Sequence, residues 1–353
     1  MLTLVKQDEQ RFTTMADLRD AVAAQDRKLM EVPSRKLSLS KAGLLQAGRF
    51  EGRLAESGLW GLLCTLGIPD GFAQNVCPPD LLVTIVNRLA YGQDGLLLVR
   101  LVDGVVTGVM PAKRQPIDHD VLIDWLGNAW PIGEATLAGE QLRIVAVGAS
   151  SQDLLPNDAS GFGWDLISGE GGWHTTELGR LTIRQVCSNG MVGFDKRPVF
   201  KRVYNSHEPA MKSLADLRFA IDNLGEPSEL GPAVRWAVDN RLGGEYGAVI
   251  NYLAQRLEGD TTRAALREMS VDSSWYELMN SVTSLAKFHR LEMRRRHETE
   301  GGMLLKWFSR AGRTRPPWRR VSCDACRDWN AGSDAGERNT SRSTEDAQLS
   351  LFD

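Results

Sequence analysis

The fold is decided by residues 95–110, whose sequence is GLLLVRLVDGVVTGVM. Two apolar runs, Gly95–Leu101 and Val105–Met110, flank the dipeptide Asp103-Gly104. Asp-Gly between two such runs is a strong signal for a two-residue β-hairpin, because both turn positions require a positive φ. The sequence therefore predicts antiparallel strands at the centre of the chain.

Three further segments have the length and apolar character of buried strands. They are Gln141–Val147, Gly161–Ser168 and Arg180–Cys187, the last with clear alternation. Gly169, Gly171 and Gly172 crowd the connection that follows the second of them. This crowding predicts a turn or a close approach of two backbone segments.

Helical patterns flank this centre on both sides. On the N-terminal side, helices are predicted over 13–30 with Thr14 as the cap, and over 38–48, 54–66, Asp80–Tyr91 and Asp118–Leu126. On the C-terminal side, helices are predicted over 212–224, 229–240, 245–257, 261–269 and 274–297. The predicted class is α+β, with a helical N-terminal part, a β-rich and largely antiparallel centre, a helical C-terminal layer and a disordered C-terminal tail.

The same patterns divide the chain into four parts. Residues 1–55 are predicted as an N-terminal helical segment, and residues 56–305 as one α+β domain that is β-rich over 95–205 and helical over 209–305. Residues 306–329 are basic and aromatic. Residues 330–353 are predicted as a disordered tail, because the small, polar and charged side chains of 330–347 cannot offset their own ordering entropy.

Length and composition restrict the class of protein to which this chain can belong. The chain has 353 residues, is 42% hydrophobic and carries a net charge of −3, so it can bury a sizeable core. We find no secretory signal pattern and no apolar run near 18 residues, which predicts a cytoplasmic protein without a membrane partner. Five scattered cysteines, an odd number, argue against a disulfide framework. The oligomeric state stays open.

Several short segments occur in a characteristic order along 60–305. They are Leu66-Gly67-Ile68-Pro69, Asn87, Leu98–Gly104, Pro116-Ile117-Asp118, Arg184–Met191, Met279–Thr283 and Glu300-Gly301-Gly302. Together they resemble an uncharacterised family of phage- and plasmid-borne proteins, described only by a domain of unknown function. Ser168–Gly171 departs from the Asn-Ser-Glu-x-Gly form expected of that family. The resemblance implies a mobile genetic element and supplies no reaction.

The sharpest of these segments contains Cys187, Asn189 and Gly190. Cys187 is a candidate nucleophile, but no His or acid lies at a recognisable triad spacing from it. The alternative is a small buried residue at the end of a strand, followed by an Asn-Gly turn. The sequence favours this structural interpretation, so no catalytic residue is assigned.

Metal and cofactor sites are weakly indicated. Cys323 and Cys326 have the spacing of half a zinc site, but the chain lacks the second pair of ligands that a structural zinc needs. Asp118-His119-Asp120 is the nearest candidate for nuclease chemistry, and a helix N-terminus rich in acids is the alternative. The chain has no P-loop motif. We therefore expect no metal and no cofactor.

Residues 287–320 carry eleven Lys or Arg and three Glu, a net charge of +8, with Trp307, Phe308 and Trp318 interleaved. Basic side chains with aromatics suit phosphate neutralisation and base stacking on single-stranded DNA. The alternative is a solvated helix end. The predicted nucleic-acid-binding residues are Arg294, Arg295, Arg296, Lys306, Trp307, Arg310, Arg313, Arg315, Trp318, Arg319 and Arg320. Residues 321–353 have a net charge of −4, so the tail is expected to compete with DNA for this segment.

The chain ends in Gln348-Leu349-Ser350-Leu351-Phe352-Asp353. The first five residues resemble the short peptide by which bacterial replication and repair proteins bind the DNA sliding clamp. The two leucines and the phenylalanine would fill an apolar cleft, and Gln348 would hydrogen-bond at its rim. Such a peptide on a disordered tether is typical of a segment that orders on a partner.

Together these patterns favour a non-catalytic, DNA-associated accessory protein of a mobile element, tethered to the bacterial sliding clamp. Its step would be replication, recombination or the handling of single-stranded DNA, including annealing. Three alternatives stay open. They are a clamp-recruited enzyme (a nuclease or a cysteine-dependent hydrolase acting through Asp118 or Cys187), an inhibitor of host replication, and a phage structural or packaging protein.

Overall fold

The computed structural model describes residues 2–48, 50–127, 132–155, 158–171, 174–184, 190–192, 199–202, 208–224, 230–257 and 259–309, with Pro316 and Trp318. Within these residues the chain is α+β, as predicted. The strands are β1 Glu9–Phe12, β2 Arg27–Pro33, β3 Leu37–Leu39, β4 Leu44–Ala47, β5 Phe50–Leu54, β6 Leu96–Val102, β7 Val105–Pro111, β8 Ile132–Ala138, β9 Gln141–Leu155, β10 Asp158–Gly169, β11 Thr176–Arg184, β12 Gly190–Val192 and β13 Phe200–Arg202. The α-helices are α1 Met15–Ala23, α2 Glu56–Thr65, α3 Asp70–Asn75, α4 Pro79–Gly92, α5 His119–Leu126, α6 Ala210–Asp222, α7 Leu230–Asp239, α8 Tyr246–Arg256, α9 Asp260–Arg267, α10 Trp275–Leu285 and α11 Leu291–Ser309.

The predicted hairpin forms the middle of a six-stranded sheet. Strands β6 and β7 pair antiparallel, and the turn residues Asp103 and Gly104 have φ values of 51° and 77°. These positive values are what a two-residue turn between twisted strands needs. The sheet order is β2-β6-β7-β5-β4-β3, with β5 and β7 parallel. Helices α2 and α4 bury Leu62, Leu63 and Val86 against this sheet.

The second sheet has seven strands, all paired antiparallel, in the order β1-β8-β9-β10-β11-β12, with β13 also on β11. Its side chains alternate between two helical layers. Along β9, Leu142, Ile144 and Ala146 face a core that includes α1, α5 and α6. Arg143 points to the opposite side, where its guanidinium meets Glu298 of α11. The helical C-terminal layer thus covers one face of the central sheet.

Three helix predictions need correction. Residues 38–48 form the hairpin β3–β4 instead of a helix, because Leu37, Leu39, Leu45 and Ala47 are buried alternately and Gly43, with φ of 73°, makes the turn. The predicted helix 13–30 begins correctly at the Thr14 cap, whose hydroxyl accepts from the Asp17 N–H at 3.1 Å, but ends at Ala23. Residues 27–33 then pair with β6.

The third correction concerns the predicted helix 274–297. It is two helices, α10 and α11, separated by a single 3-10 turn at Ala286–Phe288. The N-terminal part is likewise not mainly helical, since the described residues of 1–55 contain five strands and one α-helix. Because β2 to β5 belong to the sheet built around residues 96–111, the predicted boundary at residue 55 passes through one sheet.

Candidate functional site

Three glycines bring the two sheets into direct backbone contact. A Cβ on Gly108 of β7 would overlap the Cα and carbonyl oxygen of Gly171, which follows β10. A Cβ on Gly61 of α2 would lie 2.8 Å from the Val109 carbonyl oxygen and 3.1 Å from the Gly171 carbonyl oxygen. No side chain fits at these positions, so the glycine-rich connection is the close approach that the sequence predicts. We call this region the sheet junction, defined by Gly61, Gly108 and Gly171.

A cluster of charged side chains surrounds the sheet junction. Arg27 of β2 forms an ion pair with the fully buried Glu170, and Arg100 of β6 forms one with Asp118. The backbone N–H of His119 donates to Glu170 Oε2 at 3.0 Å. Buried carboxylates and guanidinium groups need such partners, since an unpaired buried charge is costly.

A second buried acid lies on the other side of Gly171. The Gly171 N–H donates to Glu140 Oε2 at 2.7 Å, and the Glu140 carboxylate lies 3.4 Å from His174 Nε2. The Glu170 N–H donates to the Glu140 carbonyl oxygen at 3.2 Å. These two hydrogen bonds to Glu140 hold the glycine-rich connection in place.

His119 is fully buried within this cluster. Burial, together with the charges of Arg27 and Arg100, lowers the pKa of His119 well below its usual range, although a backbone contact with Ser168 raises it. The imidazole is therefore neutral at physiological pH. The ring has no solvent contact, which favours a packing role for His119.

The geometry supports a structural role for Asp118-His119-Asp120. Asp118 is the N-cap residue of α5, and its carboxylate is committed to the buried Arg100. Asp120 lies at the rim, 3.9 Å from the Arg27 guanidinium. Among the described residues, no group of three or more His, Cys, Asp or Glu side chains is arranged to hold a metal ion. The ion pair of Arg27 with Glu170 joins the two sheets.

Several segments that carry the family resemblance meet in this structure. Arg100 and Asp118 come from two of them and form an ion pair beside the sheet junction. Two other segments pack against each other where α10 crosses α11, because a Cβ on Gly301 would overlap the Thr283 side chain. The Asn87 side chain is hydrogen-bonded to Leu39, whose backbone N–H donates to Asn87 Oδ1 at 2.6 Å. The described residues of these segments therefore make contacts that hold the fold together.

The described basic residues of α11 are largely engaged inside the protein. Arg294 forms a two-pronged ion pair with Glu134 and a second with Glu298. Arg295 lies 3.4 Å from Asp165 and 3.2 Å from Glu177. These side chains hold α11 on the central sheet, so the prediction that they contact phosphates needs correction.

A buried ion-pair network lies beneath them. The Arg143 guanidinium, which is fully buried, binds both Asp165 and Glu298. Burial raises the pKa of Glu298, an effect that the charge of Arg143 opposes. This three-residue arrangement fixes α11 at a single position on β9 and β10.

Trp318 is also engaged inside the protein. It is only 3% exposed, its ring stacks on Trp275 with centroids 5.8 Å apart, and its Nε1 donates to Glu245 Oε2 at 2.9 Å. Trp307 meets the Trp318 ring edge-on at 6.5 Å and is partly buried. A base cannot stack on Trp318 unless the ring leaves the helical core, so its predicted stacking role is corrected as well.

Arg296 is more exposed than Arg294 and Arg295. The Arg296 side chain is 40% exposed, and its guanidinium lies 3.4 Å from Glu292. Lys306 is partly buried near the end of α11. The remaining predicted nucleic-acid residues lie outside the described residues: Arg310, Arg313, Arg315, Arg319 and Arg320. So do Cys187, Asn189, Cys323, Cys326 and the whole of Gln348–Phe352, whereas Gly190 pairs with Ile183 at the start of β12.

An exposed basic and aromatic surface lies at the turn between α10 and α11. Phe288 is 70% exposed, and Lys287 Nζ lies 5.1 Å from the centre of its ring. Phe288, His289 and Arg290 line an open cleft of 560 Å³ together with Asp8, Glu9 and Arg11. The sequence predicted a continuous helix over 274–297, which includes Phe288. One phenylalanine within a helix does not indicate whether its side chain is buried or exposed.

Comparison of the chain with family models, with curated proteins and with solved structures gives no match. The resemblance to phage- and plasmid-borne proteins stays a prediction. In the described helices, none is both long enough and apolar enough to cross a membrane.

Proposed function

We propose that this chain is a non-catalytic, DNA-associated accessory protein of a mobile element, tethered to the bacterial sliding clamp by Gln348–Phe352. The observation that carries the proposal is the C-terminal sequence Gln-Leu-Ser-Leu-Phe itself. The preceding eighteen residues are small, polar and charged, so they provide no apolar core. The side chains of Leu349, Leu351 and Phe352 therefore have no neighbouring residues against which they could be buried. A partner cleft is the environment that would bury them.

The position of Trp318 supports the tether. Trp318 is fixed in the helical core, and residues 319–347 separate it from Gln348. A random-coil chain of that length would have a root-mean-square span of about 30 Å. The peptide would then bind the clamp while the folded part stays within a few nanometres of the DNA that the clamp encircles. Such tethering raises the local concentration of the folded part at DNA without any new contact.

The DNA-binding half of the proposal depends on the charge of 287–320. Three of the predicted DNA contacts bind partners inside the protein and are no longer candidates: Arg294, Arg295 and Trp318. Lys287 and Arg290 are exposed and replace them, alongside the arginines of 310–320. A phosphate backbone is the partner that suits such a surface, and its binding should weaken steeply with salt.

Clamp binding tests the proposal directly. The affinity of a purified bacterial sliding clamp for the full chain should be measured by surface plasmon resonance, beside a Leu351→Ala/Phe352→Ala variant. Loss of two apolar anchors should weaken binding by at least about thirtyfold. A Thr340→Ala/Ser341→Ala variant changes the tail outside the peptide and should bind as the parent does. Equal binding of all three proteins, or no binding by the parent, contradicts the proposal.

A further inference from the structure

The cleft at the α10–α11 turn faces outward between two parts of the chain that are distant in sequence. One wall comes from Asp8, Glu9 and Arg11, and the other from Phe288, His289 and Arg290. Its volume of 560 Å³ lies inside the range of about 300–1,000 Å³ that is typical of small-ligand clefts. A space of this size can hold a nucleotide-sized group.

The turn that carries Phe288 is held rigidly. The Leu291 N–H, at the start of α11, donates to Glu9 Oε2 at 2.7 Å. Arg11 donates to the His289 carbonyl oxygen at 3.2 Å. The His289 ring stacks on the buried His297 ring at 4.4 Å. The exposed Phe288 ring is thus presented on a fixed support, which lowers the entropy cost of binding to it.

The charge of the cleft favours an anion. Glu9 is occupied by the Leu291 N–H and by Arg11, whose Nε donates to Glu9 at 3.0 Å. Lys287 and Arg290 are exposed and form no ion pair with a described residue. With Lys287 beside the cleft, three cations (Arg11, Lys287 and Arg290) stand against the two acids Asp8 and Glu9, a net charge of +1. Two cations beside an exposed aromatic ring match a nucleotide, in which a sugar joins a flat base to a phosphate.

We propose that this cleft binds single-stranded nucleic acid by stacking one base on Phe288, with Lys287 and Arg290 at the adjacent phosphates. A base offers its flat face only when it is unstacked, so a duplex does not fit. This inference deepens the proposed function and depends on its DNA-binding half, because it places that contact on a specific surface.

The test uses the full chain and a fluorescein-labelled 12-nucleotide single strand, with binding followed by anisotropy. The Phe288→Ala variant should bind roughly 5- to 100-fold more weakly, the usual effect of losing one stacked base. Phe219→Ala is the matched control, because Phe219 is 71% exposed on α6, as exposed as Phe288. This control should bind as the parent protein does.

A salt series tests the two cations. In Lys287→Ala/Arg290→Ala the slope of log affinity against log salt should become shallower by about 1.4, the value for two lost phosphate contacts on a single strand. Lys36→Ala/Arg88→Ala removes the same charge from exposed positions in the 3-10 turn Ser34–Lys36 and on α4, and should leave the slope unchanged. Both variants of the cleft should bind the clamp as the parent does, because their tails are intact.

The outcomes separate the two proposals. If the parent binds the single strand and Phe288→Ala binds it equally well, the cleft inference is overturned, while clamp tethering is unaffected. If the parent binds the clamp and no single strand, the cleft inference and the DNA-binding half of the proposed function both fail. If duplex of the same length binds more tightly than the single strand, the stacking arrangement is wrong.

Discussion

Gly108 of β7 and Gly171 after β10 lie backbone against backbone, so that a Cβ on either residue would overlap the opposing chain. The contact joins the two sheets, and the ion pairs of Arg27 with Glu170 and of Arg100 with Asp118 surround it. Interiors packed this closely do not absorb even one added methyl group without moving backbone. The relative position of the two sheets therefore depends on the absence of side chains at these sites.

Gly108→Ala should lower the free energy of unfolding by about 3 kcal/mol, because the added Cβ meets backbone atoms that cannot rotate away. Urea unfolding followed by far-UV circular dichroism measures the change. Gly92→Ala at the end of α4 is the control, since nothing lies within 4 Å of the added Cβ. A loss in Gly108→Ala that is no larger than in Gly92→Ala would contradict the described contact.

The sequence predicted a structural feature correctly where the residues that determine it are adjacent in the chain. Asp103-Gly104 predicted the hairpin turn, since two consecutive positive φ values restrict the residue types. Gly169, Gly171 and Gly172 predicted a turn or a close approach but not its partner, because Gly108 is more than sixty residues away. The helix predicted over 38–48 was wrong because spacing alone does not separate a short hairpin from a short helix.

Charge was the least predictable property of the candidate site. Arg294 and Arg295 belong to a basic run, and nothing in that run indicates that Glu134, Asp165 and Glu177 lie opposite them in the fold. Their partners are 118 to 160 residues distant. Sequence gives the number of charges, whereas the fold decides which charges remain at the surface.

Arg143→Met should destabilise the protein by about 3–5 kcal/mol, because it leaves Asp165 and Glu298 buried without their shared cation. The measurement is again urea unfolding at neutral pH. Arg218→Met breaks an exposed ion pair with Asp222 on α6 and should cost at most about 1 kcal/mol. Similar effects of the two changes would show that the buried network does not hold α11 in place.

The Arg294–Glu134 ion pair predicts an acid-dependent loss of stability. Burial alone would raise the pKa of Glu134, but the hydrogen bond and charge of Arg294 outweigh it and lower the pKa below the ordinary value of 4.5. A depressed pKa contributes stability that is fully present above pH 4.5 and is lost as the pH falls through the folded-state pKa.

The difference in unfolding free energy between the parent and Glu134→Gln should therefore be largest at neutral pH. It should shrink steadily below pH 4.5, as Glu134 becomes protonated and is then uncharged like the glutamine. Unfolding curves at a series of pH values measure this. Glu31→Gln is the control, because Glu31 is exposed on β2 and forms no ion pair with a described residue. A difference that grows toward low pH would exclude the ion pair as its source.

Trp318→Ala tests where the tether begins. The ring is buried among Trp275, Tyr252 and Trp307, so its removal should cost about 3–5 kcal/mol of unfolding free energy. Trypsin should cleave the variant faster within 310–320, since that arginine-rich segment is then anchored only by α11. Affinity for the clamp should stay unchanged, because the terminal peptide is intact. A stability loss below about 1 kcal/mol, with unchanged proteolysis, would mean that the tether starts at the end of α11, which leaves the peptide a longer reach.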